Sequence, residues 1–411
     1  MRKWALLEQG FLSLANFGLA IFLTRELPKA EWGTYSLGFG LMLFVQGFQR
    51  ALVCIPIATM THQDDVLSQS LRFWRRIQTK VTVAALLILI MAAIAAHFAK
   101  ATSSLSDSLF IAALLVPGFF AQEFWRRLLI QAHNIRAAAI IACFFFLSVA
   151  LLLPLLYFNH TGALIAAAGL SLCALLAGIF TRYRVLQLIP AARGSVDFGD
   201  KIWQFGRWAS LSHLAYAGYN TAIQVALSLI AGPAAMGSFS AVKNLTQPIN
   251  TLIGAIDNID KPRAARAFAA EGFPGLFSSL RRTISTLSII GGVYLLMCAA
   301  GGGYLINVLY HQRYGYAWNE LWLWCLIAAA MMAAQPLESG LYVANRTDAL
   351  FANRVISSVI GLGAAVVCIP TLGVIGALIG LASGYLTTAV LAACQLYRIS
   401  RQSPVVEEVP I

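Results

Sequence analysis

Charge is what this sequence has least of. Only 11% of its 411 residues are Asp, Glu, Lys or Arg, and 59% are hydrophobic, whereas a soluble domain carries about 25% charge. That excludes a surface built to face water. Long polar stretches are missing as well, so no separate soluble domain fits between the apolar runs. There is no Gly-rich phosphate loop, no metal-ligand spacing and no Ser/His/Asp set outside those runs, so neither an enzyme nor a bound cofactor is expected. The seven cysteines (54, 143, 173, 298, 325, 368 and 394) all lie inside apolar runs. An odd number placed there reads as small apolar filler rather than a disulfide framework or metal site. The net charge is +12, but no basic segment forms a folded face of its own, so a nucleic-acid partner is not expected.

What the chain has instead is a succession of apolar runs, each near the roughly 20 residues that cross a bilayer core as helix. The punctuation predicts twelve spans, over 4–25, 33–60, 81–99, 108–130, 137–157, 162–181, 205–230, 233–258, 283–307, 320–344, 351–369 and 373–397. Met1-Arg2-Lys3 leads straight into a helix holding Glu8 and Asn16, which reads as a first span and not as a cleaved signal. Basic residues set the orientation. With the N-terminus inside, 23 of the 29 Lys and Arg fall on the cytoplasmic side, including Arg72, Arg75, Arg76, Lys80, Arg126 and Arg127. Arg25, Lys29, Lys100 and Arg313 fall opposite, and Arg50 and Lys243 lie within spans. One missed span would invert every later loop, so both termini are predicted to be cytoplasmic in a multi-pass inner-membrane protein.

The chain also repeats itself. A shift of 204 lays Asn16 on Asn220, Thr24 on Ser228, Gln46 on Asn250, and Gly33-Thr34-Tyr35-Ser36 on Gly237-Ser238-Phe239-Ser240. A second echo links Gln131-Ala132-His133-Asn134 to Val343-Ala344-Asn345-Arg346. Six spans separate the copies, an even number, so the repeats are parallel. The expected architecture is all-α, with two six-helix lobes (1–181 and 205–397) around a central cavity. A cytoplasmic linker (182–204) joins them and a tail (398–411) follows.

Leu23-Thr24-Arg25-Glu26-Leu27-Pro28 followed by Trp32-Gly33-Thr34-Tyr35-Ser36-Leu37 resembles the opening of the polysaccharide transporters, the O-antigen and exopolysaccharide flippases. These belong to the multidrug/oligosaccharidyl-lipid/polysaccharide exporter superfamily. Arg127-Leu128-Leu129-Ile130-Gln131-Ala132 is similar to the same family, as are Gly162-Ala163-Leu164 and Gly373-Val374-Ile375-Gly376-Ala377 at the starts of the sixth and twelfth spans. Thr24 and Glu26 depart from it, standing where the family usually has small or apolar residues. The resemblance implies a V-shaped pair of lobes that moves a lipid-linked sugar, on undecaprenyl pyrophosphate, by alternating access. It also implies membrane lipids and polysaccharide polymerase or assembly proteins as partners.

A charge inside a span is costly unless it meets a wet cavity or a partner, which makes such positions the candidates for function. Lys243, Asn244, Gln247 and Asn250 put an ammonium among amides, with 243, 247 and 250 on one helical face. That combination suits an anionic pyrophosphate bearing sugar hydroxyls; the bland alternative is a Lys paired with a carboxylate. Arg50, with Gln46 and Gln49, is the first lobe's cation, with snorkelling to the cytoplasmic face as its rival reading. Asn16 and Asn220 are the equivalent amides of the two lobes. Glu123 and Glu338 sit in the fourth span of each lobe and are candidates for coupling to H+ or Na+. Arg126 and Arg127 follow Glu123 at i+3 and i+4, so a local salt bridge is its simplest alternative. Glu8 and Asp257 read as solvated or capping, Arg25 as an anchor near the outer interface, and His213 as a packing hydrogen-bonder.

Other classes remain in view. A small-molecule exporter of the same superfamily should favour an acidic, aromatic pocket, and a lipid II flippase usually has more spans. A major-facilitator transporter should carry a Gly-x-x-x-Asp-Arg-like motif between spans two and three, and 61–80 has none. A membrane polymerase or ligase needs a large outer loop, and the longest here is the short stretch near His311 and Arg313. A non-transporting component of a polysaccharide assembly complex fits the same composition.

Overall fold

The computed structural model describes residues 2–60, 64–99, 103–159, 162–189, 198–310, 314 and 318–402. Every regular element among them is helical. They run in order as α1 (Arg2–Glu26), α2 (Lys29–Gln49), a π-helical turn (Arg50–Cys54), α3 (Ile55–Met60), α4 (Asp64–Phe98), α5 (Ser103–Gln131), α6 (Ile135–Phe158), α7 (Ala163–Leu188), α8 (Gly199–Ile230), α9 (Pro233–Tyr310), α10 (Trp318–Val343), α11 (Thr347–Leu372) and α12 (Val374–Gln402). Ten of these segments are long and apolar enough to cross a membrane. That figure counts α9 once and omits α8. Gly272 breaks α9 with φ 65° and ψ −144°, a conformation glycine adopts without a Cβ penalty. The spans expected over 233–258 and 283–307 lie on either side of that break, and α8 covers the one expected over 205–230. Each of the twelve expected spans is thus helical, in an all-α polytopic chain. His311, Arg313, Lys100 and the Arg193-Gly194-Ser195 part of the linker lie outside the described residues.

Internal packing divides the chain into two units. The first holds Met1–Thr221 with Gly232–Gly237, and the second holds Ala222–Ala231 with Ser238–Ile411. In the first, α5 is the central helix, packed on α2, α4 and α7, while α1 lies along α6. Small residues allow the close crossings. A Cβ on Gly118 of α5 would collide with the Ser171 carbonyl of α7, the small-residue contact by which helices associate in lipid. Below it, Trp74, Phe124, Leu128 and Val185 are fully buried in an apolar cluster. In the second unit α12 packs against α10 and α11. A smaller cluster of Leu276, Leu280, Leu341 and Leu396 closes one end of that unit.

The repeat is visible in the backbone. His133 and Asn345 both take positive φ, 57° and 58°, and both follow an amide that bonds four residues back, Ala132 to Leu128 and Ala344 to Gly340, each at 2.9 Å. The next residues, Asn134 and Arg346, match within a degree, at φ/ψ −102°/59° and −103°/58°. Gly33 and Gly237, equivalent under the 204 shift, also meet each other. A Cβ on Gly33 would strike the Pro233 carbonyl, and one on Gly237 would strike the Lys29 carbonyl. Lys29 and Pro233 are themselves 204 apart, so the contact is reciprocal.

Candidate functional site

The first unit gathers five charged side chains at one end of α1, α2 and α5. Glu123, on the buried face of α5, is 5% exposed. Its Oε2 accepts from Arg126 Nη2 at 2.6 Å and Nε at 3.1 Å, and its Oε1 from Arg127 Nε at 3.1 Å. Arg50 Nε approaches the same Oε1 at 3.5 Å. Arg126 reaches across to α1 as well, where Nη1 donates to Glu8 Oε1 at 2.6 Å. Three guanidiniums therefore share two carboxylates, leaving one positive charge in excess. The exposure is uneven, with the Arg126 side chain 16% exposed, Arg50 48% and Arg127 41%. One arginine is locked in the structure, and two keep a face open.

A layer of amides supports this cluster. Arg50 Nη2 donates to Gln46 Oε1 at 3.3 Å, and Gln46 Nε2 donates to the Phe119 carbonyl at 3.3 Å. Gln49 bridges the Phe120 carbonyl at 2.8 Å and Gln78 Oε1 at 3.0 Å, and Gln78 Nε2 continues to Thr82 Oγ1 at 3.0 Å. Buried amides are retained where each donor finds an acceptor, and here they tie α2 and α4 to the backbone of α5. Arg50 opens the π-helical turn, a device that re-aims side chains within a helix.

In the second unit, Glu338 of α10 is bound in a fork by Arg354 of α11, at 3.0 Å from Nε and 3.3 Å from Nη2. Matching the two positive-φ turns by a shift of 212 places Glu338 on Arg126, not on Glu123. The two acids share a helix order without sharing a position. Lys243 of α9 is half-buried and makes no ion pair among the described residues. Beside it, Asn244 Nδ2 is buried without a partner among the described residues. Gln247 and Asn250 are exposed and joined to each other at 3.3 Å. Asn220 is half-buried on α8, and Asn16 has a buried Oδ1 with no partner among the described residues.

The structure thus joins Arg50 and Glu123, which sequence reasoning took as separate candidates. It places Lys243, Asn244, Gln247 and Asn250 in the second unit, where Glu338 is paired with Arg354 and not with Lys243. Glu8 was expected to be solvated or capping and is instead 5% exposed and ion-paired. Its signal was available, since an acid in an apolar run needs a partner, but nothing in the sequence pointed 118 residues along the chain to Arg126. Asp257 likewise has partners, Lys261 at 2.8 Å and Ser339 Oγ at 2.6 Å. His213 packs as expected, its Nε2 donating to the Phe44 carbonyl at 2.8 Å between the rings of Phe44 and Phe48.

No family model matches the chain. Solved structures share its fold over nearly its whole length. An inward-facing multidrug resistance MATE family transporter of the MOP superfamily superposes with a TM-score of 0.78 at 13% identity, covering 97% of this chain and all of that one. A MOP superfamily transporter from Pyrococcus furiosus, described by a reverse polarity of its binding pocket that suggests a different function, gives a TM-score of 0.67 at 14% identity, over 97% and 94% of the two chains. In sequence, a 98-residue stretch is 26% identical to the "Putative O-antigen transporter" of Escherichia coli (strain K12). That stretch spans 24% of this chain and 23% of the curated relative.

Proposed function

We propose that this chain, which has the fold of the MATE transporters of the MOP superfamily, is a flippase. Its substrate in this reading is an oligosaccharide linked to undecaprenyl pyrophosphate, moved across the bacterial inner membrane by alternating access for polysaccharide export. The observation that carries the reading is the arginine cluster around Glu123. A pyrophosphate presents several anionic oxygens, and guanidinium forks match them in pairs. Arg50 and Arg127 keep open faces, while Arg126 stays fixed between Glu8 and Glu123. Lys243 adds an ammonium with no acid of its own among the described residues, and Asn244, Gln247 and Asn250 add amides for sugar hydroxyls. Asn16 and Asn220 are further amides proposed to meet the substrate. The likeness to the E. coli O-antigen transporter supports this substrate class.

In this reading the lobes are 1–181 and 205–397, the linker is 182–204, and both termini are cytoplasmic. Glu123 and Glu338 serve H+ or Na+ coupling in this reading: when Arg50 and Arg127 turn to the substrate, Glu123 Oε1 is vacated for an ion while Oε2 stays with Arg126, and Glu338 is vacated when Arg354 releases it. Polymerase and assembly proteins receive the flipped glycan. A second reading, export of a small drug-like molecule, is favoured by the fold shared with multidrug MATE transporters.

The test is complementation of a deletion strain that accumulates cytoplasm-facing lipid-linked sugar. Wild type clears the accumulation, and Arg50→Ala combined with Lys243→Ala restores less than about a tenth of the flux, as loss of two charge-assisted contacts implies. Full clearance by the double variant sinks the site assignment. Clearance with no transport in reconstituted vesicles points to an assembly component. Drug efflux with no sugar phenotype supports the second reading.

A further inference from the structure

One face of α4 is patterned for a ligand that the arginine cluster does not address. The helix runs 35 residues, Asp64–Phe98, longer than a bilayer core requires. Its packed side holds Leu71, Trp74, Gln78, Ala85, Leu89 and Ala93, all buried. On the opposite side, at helical spacing, Arg72, Arg76 and Lys80 are exposed. Directly below them on that face come Val83 at 48% exposure, Leu87 at 54%, Ile94 at 43% and Phe98 at 80%. At 3.6 residues per turn these positions fall within about a third of the helix circumference. The helix's own acids, Asp64 and Asp65, stand in its first turn, with position 65 on this same face, and no Asp or Glu follows from 66 to 98.

We propose that this face is a binding site for an anionic phospholipid such as phosphatidylglycerol. Three cations spread over about 12 Å of helix meet the headgroup phosphates, and the apolar stripe below extends about 22 Å along the acyl chains. Water alone would explain the basic residues, and lipid tails alone would explain the apolar ones. Their continuity along one face fits an amphiphile with an anionic head. Charge complementarity selects its sign, since each Lys or Arg at a membrane surface favours an anionic lipid by a factor of about five. The third helix of the second half offers an internal comparison. There Arg281 and Arg282 are the exposed cations above Ile289, Val293 and Leu296, adjacent in sequence rather than stacked along one face.

The experiment is electron paramagnetic resonance on the full chain reconstituted in phosphatidylcholine, with spin-labelled phosphatidylglycerol or phosphatidylcholine as probe. Wild type is expected to hold phosphatidylglycerol at least tenfold more tightly at its selective site, with the preference shrinking as salt rises. Arg72→Gln, Arg76→Gln and Lys80→Gln together should bring the two lipids close to parity, and Arg281→Gln with Arg282→Gln should leave most of the preference. Should the triple variant fail to accumulate, Lys80→Gln alone must lower the preference about threefold to fivefold. Equal holding of both lipids by wild type, or a preference untouched by these α4 changes, overturns the proposal. So does salt-insensitive binding. An acidic protein that captures the chain through these three residues while the two lipids are held equally would assign the face to a protein partner and also overturn it. None of these outcomes depends on glycan transport.

Discussion

Glu123 serves three guanidiniums and Arg50 serves one carboxylate, so the two ends of the same ion pair should respond differently to substitution. Glu123→Gln keeps the volume but leaves Arg126 with Glu8 as its remaining carboxylate and Arg127 and Arg50 with none among the described residues. Arg126 keeps Glu8 but loses the anionic end of its fork to Glu123, which costs about 1.5–3 kcal/mol. Arg50 is half-exposed at 3.5 Å from its partner, so Arg50→Gln should cost less than about 1 kcal/mol. Thermal unfolding in detergent distinguishes them, with a large fall in midpoint for the first and little change for the second. Equal falls would mean that Arg50 is structural and would remove it from the substrate site. Lys243, with no carboxylate among the described residues, should tolerate Lys243→Gln with unchanged stability.

At the scale of elements, the repeated turns after α5 and α10 carry the clearest signal. Each ends its helix with a residue in the left-handed region, His133 in one and Asn345 in the other. Asparagine tolerates that conformation better than histidine, and glycine better than either. His133→Gly should therefore stabilise by about 0.5–1 kcal/mol, and Asn345→Gly by less. Chemical or thermal unfolding of the two single variants checks the order, and a stronger gain at Asn345 would contradict it. Sequence matching found these turns because turn chemistry is local. It did not find the π-helical turn at Arg50, which contains no Pro or Gly to announce it. The Gly33–Gly237 contact was half legible. The 204-residue match was in the sequence, while the reciprocal collision with Pro233 and Lys29 needed coordinates.

At the scale of the whole molecule, the twelve expected spans, an even number, predict that both termini lie on one side. A fluorescent protein fused after Gln402 should fluoresce in the cytoplasm, and alkaline phosphatase fused at the same point should stay inactive. A phosphatase fusion at Gly232, between α8 and α9, should be active. The opposite pattern would invert the assignment of every basic loop. These outcomes rest on the distribution of Lys and Arg, which biases insertion whatever the later packing.

The helices were legible residue by residue in the sequence, and the charge placement predicts their polarity relative to the membrane. Apolar run length carries the first and Lys and Arg distribution the second. The sequence also exposed the parallel repeat, because equivalent turns demand equivalent residues. Which charges are partners is settled by packing and not by the linear order. Glu8 with Arg126 and Glu123 with Arg50 are matched across helices far apart in the chain, and Glu338 with Arg354 across two consecutive helices. Helical periodicity says which face a side chain occupies, but not which other face will be packed against it. Long-range packing turned two separately chosen candidates, Arg50 and Glu123, into one site.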